Sequence, residues 1–212
     1  MELQYLTVEP TRPAEQLVIW LHGLGADGYD FIEVPPLLGL PPNHAIRFIF
    51  PHAPIQPVTI NNGMQMRAWY DIYTGDLFEK VDRVGLQAAQ QAVIELINDQ
   101  GFSLDKVIVA GFSQGGVVAL TTTMEHMLPV AGVIALSAYL PLKTATLPQM
   151  TQLFIAHGNQ DALVDWHLGS TAASLCQAQG NAVTWRIYPM GHSVCEEELE
   201  EIGTFIEQVF EL

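Results

Sequence analysis

Short apolar runs alternate with amphipathic stretches along most of the chain. The runs at 17–21, 46–50, 107–110, 133–136, 153–156 and 183–188 have strand lengths and are rich in branched residues. Several are apolar throughout, which is the pattern of strands covered on both faces of a parallel sheet. Between them, Phe78, Val81, Gly85, Ala89, Val93 and Leu96 recur at helical spacing and mark one buried face. Asp76 with Glu79 reads as a capping pair at the start of that helix, and Gly101 as its stop. A last helix opens with the Ser193-x-x-Glu196 pattern and buries Leu199, Ile202, Phe205 or Ile206, and Val209. Strands alternating with helices predict an α/β fold with a single mostly parallel sheet and helices on both faces. No repeat or linker interrupts the pattern, so one domain over residues 1–212 is expected.

One segment changes this picture from architecture to chemistry. The strand at 107–110 runs into Gly111-Phe112-Ser113-Gln114-Gly115, and a helical stretch follows from 114 to about 127. In that setting G-x-S-x-G is the strand–turn–helix elbow that raises a serine above the sheet of an α/β-hydrolase fold. With 17 glycines in the chain, chance supplies about 0.04 matches to the pattern. A serine hydroxyl needs a base and a group that orients the base. His192, on the loop after the last strand, is the expected base. It leaves a carboxylate between itself and Ser113 in the chain order that this fold uses. Asp161 is the expected acid. Asp165, the rival, reads as the cap of a helix starting at Trp166. His157 is read as shaping the turn, and His22, His44, His52, His126 and His167 as surface or strand-end residues.

The strand at 17–21 leads into His22-Gly23-Leu24-Gly25, a backbone able to approach a ligand closely. The amides of Leu24 and Gln114 are therefore the expected oxyanion donors. Histidines and carboxylates are scattered without H-E-x-x-H or C-x-x-C spacing, so no metal is expected. The stretch from 52 to 75 is the longest without periodicity, and Met64, Met66, Trp69 and Tyr70 in it are candidates for an acyl-binding wall. Only 14 residues, 138 to 151, stand where a lid is often inserted, so an open site is expected.

Composition narrows the partners. Eight Lys plus Arg against 23 Asp plus Glu give a net charge of −15, which opposes binding to nucleic acid and to anionic lipid surfaces. No run is long enough for a membrane span and no signal sequence is visible, so a cytoplasmic location is expected. Cys176 and Cys195 are too few for a disulfide framework. Five glutamates, Glu196, Glu197, Glu198, Glu200 and Glu201, follow His192 and read as a solvated helix face or as support for an imidazolium.

The elbow, the Leu21-His22-Gly23-Leu24-Gly25 loop, Ala68-Trp69-Tyr70-Asp71-Ile72 and Met190-Gly191-His192-Ser193 occur in an order that resembles the phospholipase/carboxylesterase family. That family includes bacterial carboxylesterases and acyl-protein thioesterases. The likeness runs from about 17 to 209, and Asn62-Gly63 with Trp69–Ile72 is similar to the bacterial branch. One departure is Asp165 after Val164, where proline is usual. The resemblance implies a Ser113–His192–Asp161 triad, Leu24 and Gln114 as oxyanion amides, and no cofactor. It also implies acyl esters, thioesters or lysophospholipids as substrates. Two other readings remain at this level: a dienelactone-hydrolase-like enzyme, whose elbow would carry cysteine, and a hydrolase-fold protein that binds acyl ligands without cleaving them.

Overall fold

The structure, a computed structural model, describes residues 2–77, 80–141, 148 and 151–212. Seven strands form one sheet in the order β1-β3-β2-β6-β7-β8-β9. They are β1 (Tyr5–Val8), β2 (Gln16–Leu21), β3 (Ile46–Pro51), β6 (Val107–Phe112), β7 (Gly132–Leu136), β8 (Gln152–Gly158) and β9 (Val183–Tyr188). Only β1 runs antiparallel to its neighbour. The six expected strands all form the sheet, extended by up to two residues at an end. The edge strand β1 was not anticipated. Neither was the hairpin of β4 (Ile55–Val58) and β5 (Met64–Arg67), which occupies much of the stretch read as irregular.

The all-apolar strands behave as their composition requires. Leu17, Ile19 and Leu21 point into one core, while Val18 and Trp20 point into the other. The first core lies under α1 (Arg83–Gln100), α2 (Gln114–Glu125) and α3 (Trp166–Ala178). The second lies under α4 (Glu196–Phe210) and the segment 31–38.

The helix starts need correction. α1 begins at Arg83, and its cap is Asp82, whose carboxylate accepts from the Gly85 amide at 3.0 Å. Asp76 does not cap it, Val81 instead pairs with Ile72 in an isolated bridge, and Phe78 and Glu79 lie outside the described residues. Gly101 does end it, at φ 72°. α4 is preceded by Cys195 with no side-chain cap, so Ser193 and Glu196 form no capping box. The Ser193 amide is turned back onto the Gly191 carbonyl. Leu199, Ile202, Phe205 and Ile206 are buried as expected, and Val209 is half-buried.

Among the five glutamates of α4, Glu198 turns inward and is fully buried. Burial pushes its carboxyl up to about 8, with the Cys195 amide pulling weakly the other way. An unfolded glutamate ionises near pH 4.3 (about the model-peptide value). As pH rises from about 4 to about 8, the unfolded chain therefore releases a proton that the folded chain keeps. The stability contributed by neutral Glu198 is complete below that window and is lost across it. Glu198→Gln cannot ionise and should remove this slope. Denaturant unfolding at pH 5 and pH 8 should show wild type losing on the order of 3 kcal/mol more than the variant. Parallel pH dependence of the two proteins would contradict it.

Candidate active site

Strand order places the site. The chain passes from β2 to β3 on one side, then crosses to β6 on the other. The crevice beyond the carboxyl ends of β2 and β6 lies at that switch, where open α/β sheets bind ligands. The register pairs Leu21 with Gly111 and Phe112 with Leu136, so the loop after β2 and the turn after β6 emerge side by side.

Ser113 occupies the turn with φ 54° and ψ −117°, a left-handed backbone that non-glycine residues rarely adopt. Its amide donates to the Leu136 carbonyl at 2.8 Å, and its carbonyl accepts from the Val117 amide at 3.1 Å. These bonds offset the strain. A Cβ on Gly111 would stand 2.3 Å from the backbone of Gly115. Only the bare chain can turn so tightly.

His192 and Asp161 arrive from the loops after β9 and β8. A Cβ on Gly158 would meet the Met190 carbonyl at 2.3 Å, so glycine there lets the two loops touch. His192 Nε2 lies 2.9 Å from Ser113 Oγ, and His192 Nδ1 lies 2.7 Å from Asp161 Oδ2. The Phe112 ring backs the imidazole with centroids 4.8 Å apart. Asp161 Oδ1 accepts from the amides of Leu163 and Val164, both at 2.9 Å. Burial pushes the Asp161 carboxyl up, but those amides and the His192 ring outweigh it and hold it below the usual carboxylate range. The group facing His192 is therefore an anion. Asp165 is elsewhere: exposed, capping α3 through the His167 amide and bonded to the His167 ring.

Leu24 and Gln114 both line this cleft, and among the described residues neither amide is taken by a turn or loop hydrogen bond. Their supports were not legible as such in the sequence. The buried Gln114 side chain accepts from the Trp69 amide at 2.8 Å and donates to the Tyr70 carbonyl at 2.7 Å. The Trp69 indole N–H donates to the His22 carbonyl at 2.9 Å. The His22 ring joins the Gly23 carbonyl to the Ala53 amide, at 2.7 and 3.0 Å. That pattern requires the neutral Nδ1–H tautomer, and burial holds the ring's pKa down accordingly. His22 sits at the end of β2, as one of the two expected settings has it, but it is buried rather than on the surface and braces the loop that carries Leu24. A polar glutamine opening an otherwise apolar helical run was the available signal for Gln114.

The cleft encloses about 680 Å3. Its apolar wall comprises Ile60, Tyr70, Ile72, Leu77, Tyr139 and Leu163, the last 75% exposed at the rim. The Tyr70 and Tyr139 hydroxyls meet at 3.0 Å. Burial raises both phenols above the usual range. Of the four residues expected to form this wall, only Tyr70 lines it. Met64 sits on the hairpin at 63% exposure, Met66 lies behind Gly25 with its sulfur near Asn61, and Trp69 is a buried brace. Met64 and Met66 are carried on the paired strand β5, and Trp69, beyond the hairpin, is held instead by its bonds to Gln114 and His22. Most of the stretch expected to leave the site without a lid, from 138 to 151, lies outside the described residues. No group of three or more His, Cys, Asp or Glu side chains among the described residues is arranged to hold a metal ion. No described helix is long and apolar enough to cross a membrane.

Known proteins share this sequence pattern and shape. The family model described as Phospholipase/Carboxylesterase matches residues 4–210. Acyl-protein thioesterase 1 of Neurospora crassa is 38% identical over 207 residues, covering 89% of this chain and 84% of that protein. Acyl-protein thioesterase 1 of Mycosarcoma maydis is 36% identical over 98% of this chain and 97% of its own length. The crystal structure of Zea mays acyl-protein thioesterase 2 aligns with a TM-score of 0.84 at 26% identity, covering 97% and 98% of the two chains. A Bacillus cereus carboxylesterase, at 15% identity and a TM-score of 0.80, shares the fold.

Proposed function

The chain belongs to the phospholipase/carboxylesterase family, and we propose that it works through Ser113 as nucleophile, His192 as proton carrier and Asp161 as the anion that orients His192. It is a hydrolase of esters or thioesters with an α/β-hydrolase fold. The observation that carries the residue roles is the unbroken row Ser113 Oγ–His192 Nε2–His192 Nδ1–Asp161 Oδ2, with steps of 2.9 and 2.7 Å across the ring.

The reaction follows from that row. Ser113 Oγ attacks the acyl carbonyl while its proton passes to His192 Nε2. The imidazolium so formed is stabilised by the ionised Asp161. The carbonyl oxygen becomes an oxyanion between the amides of Leu24 and Gln114, the latter at the positive end of α2. Collapse of the tetrahedral centre breaks the bond to the alcohol or thiol, which leaves with the proton from His192. Water then repeats the sequence on the acyl-enzyme and frees the acid. No step needs a cofactor. Because the elbow carries serine and the full row is present, the cysteine-type enzyme and the non-catalytic binder lose their support.

His192 must protonate the departing atom, so the leaving group belongs on its side, beside Phe31, Ser193 and Val194. The apolar lining from Ile72 and Leu77 is then left for the acyl chain. Names of relatives such as acyl-protein thioesterase 1 point the substrate class toward S-acylated protein chains. An acyl chain on a cysteine suits a cleft whose rim presents Leu163 and Ile60.

Two experiments test these assignments. Incubation with a slowly deacylating ester, followed by peptide mass analysis, should find the acyl group on Ser113; acylation elsewhere overturns the nucleophile. For the wall, Ile72→Ala or Leu77→Ala should lower kcat/KM for dodecanoyl esters by about 10-fold while sparing acetyl esters. Met64→Ala should leave the chain-length profile as it is. A profile unmoved by the first two changes would place the acyl chain elsewhere.

A further inference from the structure

Asp161 faces a second imidazole. His157, at the end of β8, is fully buried, and its Nε2 lies 2.9 Å from the Val164 carbonyl and 3.2 Å from Asp161 Oδ2. Oδ2 is the same oxygen that meets His192 Nδ1 at 2.7 Å. A carbonyl can only accept, so His157 Nε2 carries the hydrogen. Its Nδ1 has no hydrogen-bond partner, so a proton there would be buried and unpaired. The contacts therefore select one species, the neutral Nε2–H tautomer, and burial favours it by lowering the ring's pKa. Its N–H points into the narrow space between the loop carbonyl and the carboxylate.

The surroundings give this ring its place. Gly169 lies within α3, where glycine costs up to about 1 kcal/mol relative to alanine. A Cβ there would stand 2.6 Å from His157 Nδ1 and 3.3 Å from the Trp185 ring. The missing side chain is the room that the imidazole occupies. The loop 158–164 is consequently tied at both ends. Asp161 Oδ1 holds the amides of Leu163 and Val164, and His157 holds the Val164 carbonyl.

We infer that His157 is a positioning residue for the reaction, its Nε2–H shared between the Val164 carbonyl and Asp161 Oδ2 so that the carboxylate presents one orientation to the catalytic imidazole. The inference rests on the triad reading above. His157 touches neither substrate nor Ser113 and acts only through Asp161. Displacing a catalytic group by about 1 Å can cost 10²-fold in rate, which sets the scale of the effect.

The test is a cycle with His157→Leu, His157→Gln and Asp161→Asn, reading kcat and KM on a small soluble ester and the melting temperature of each protein. His157→Leu should lower kcat about 10- to 100-fold with KM little changed. Glutamine can place its amide N–H where Nε2 was, so His157→Gln should recover most of kcat even if both variants melt earlier. In the Asp161→Asn background, His157→Leu should cost little further, because its route to His192 is already broken. An equal fold-loss in both backgrounds, or a glutamine variant no better than leucine, overturns the inference. Should His157→Leu fail to fold, His157→Ala, which also lacks the N–H, takes its place against His157→Gln and in the two Asp161 backgrounds, with the same outcomes for and against. Wild-type kcat in Asp161→Asn by itself would instead refute the triad reading, a separate result.

Discussion

Ser113→Ala is expected to lower kcat by about 10⁴-fold or more while leaving the fold and substrate affinity nearly intact. Alanine keeps the Cβ and both backbone bonds of the elbow, the amide to Leu136 and the carbonyl from Val117. It removes only Oγ, the atom 2.9 Å from His192 Nε2. Steady-state hydrolysis and thermal melting on the same preparation separate the two effects. His192→Ala should cost a comparable factor, and the double variant little more than either single one, since each residue is useless without the other. What activity remains should reflect the amides of Leu24 and Gln114, which none of these changes touches. A fluorophosphonate probe should label wild type and fail on Ser113→Ala. If Ser113→Ala keeps even a tenth of wild-type kcat, another nucleophile does the work.

The elbow and the inner strands were legible because their constraints are local. The elbow needs glycine at 111 and 115 for steric reasons that hold in any such turn, and the inner strands need apolar residues on both faces. Asp165 was legible as a helix cap for the same reason, and the structure shows it capping α3. What escaped depends on contacts distant in the chain. β1 alternates exposed and half-buried residues over four positions and gains its place only by pairing with β3. The β4–β5 hairpin contains Pro57 and exposed side chains, so it lacks the signals of a strand pair. Met64 and Met66, carried on that hairpin, miss the cleft. Trp69 is a candidate for the wall in sequence only because it lies in the longest stretch without periodicity. Its role follows from a carbonyl 47 positions away.

The same reasoning explains why the oxyanion loop needed the structure. Leu24 could be named from three glycines near a strand end, but what holds its amide in place could not. In the proposed hole Gln114 contributes its backbone, while its side chain holds the 69–70 backbone; the Trp69 indole then holds the His22 carbonyl, and the His22 ring holds that of Gly23. Nucleophile turn and oxyanion loop are thereby one hydrogen-bonded unit. Such bracing is what the proposed oxyanion hole requires, since electrostatic catalysis needs donors fixed before charge develops.

That unit makes Gly115→Ala a strongly damaging small substitution outside the triad. A Cβ at 115 would lie 2.4 Å from the Leu21 carbonyl oxygen and 2.6 Å from that of His22. Both are backbone atoms of a strand end paired with β6 through Leu21 and Gly111, so neither can rotate away. Either α2 lifts from the sheet or the oxyanion loop moves, and both break the geometry. Overpacking against backbone belongs at the upper end of its range, so a loss of about 3 kcal/mol or more is expected. The surviving folded fraction should show kcat reduced by about 10²-fold, because the Gln114 amide moves with the helix. Gly75→Ala is the matched control for stability: its Cβ would meet nothing within 4 Å among the described residues, and its melting temperature should be that of wild type. Denaturant unfolding and active-site-titrated kcat of the two variants read both effects. A Gly115→Ala protein with wild-type stability and rate would mean that β2 and α2 do not approach this closely, and the oxyanion hole built on that approach would fall with it.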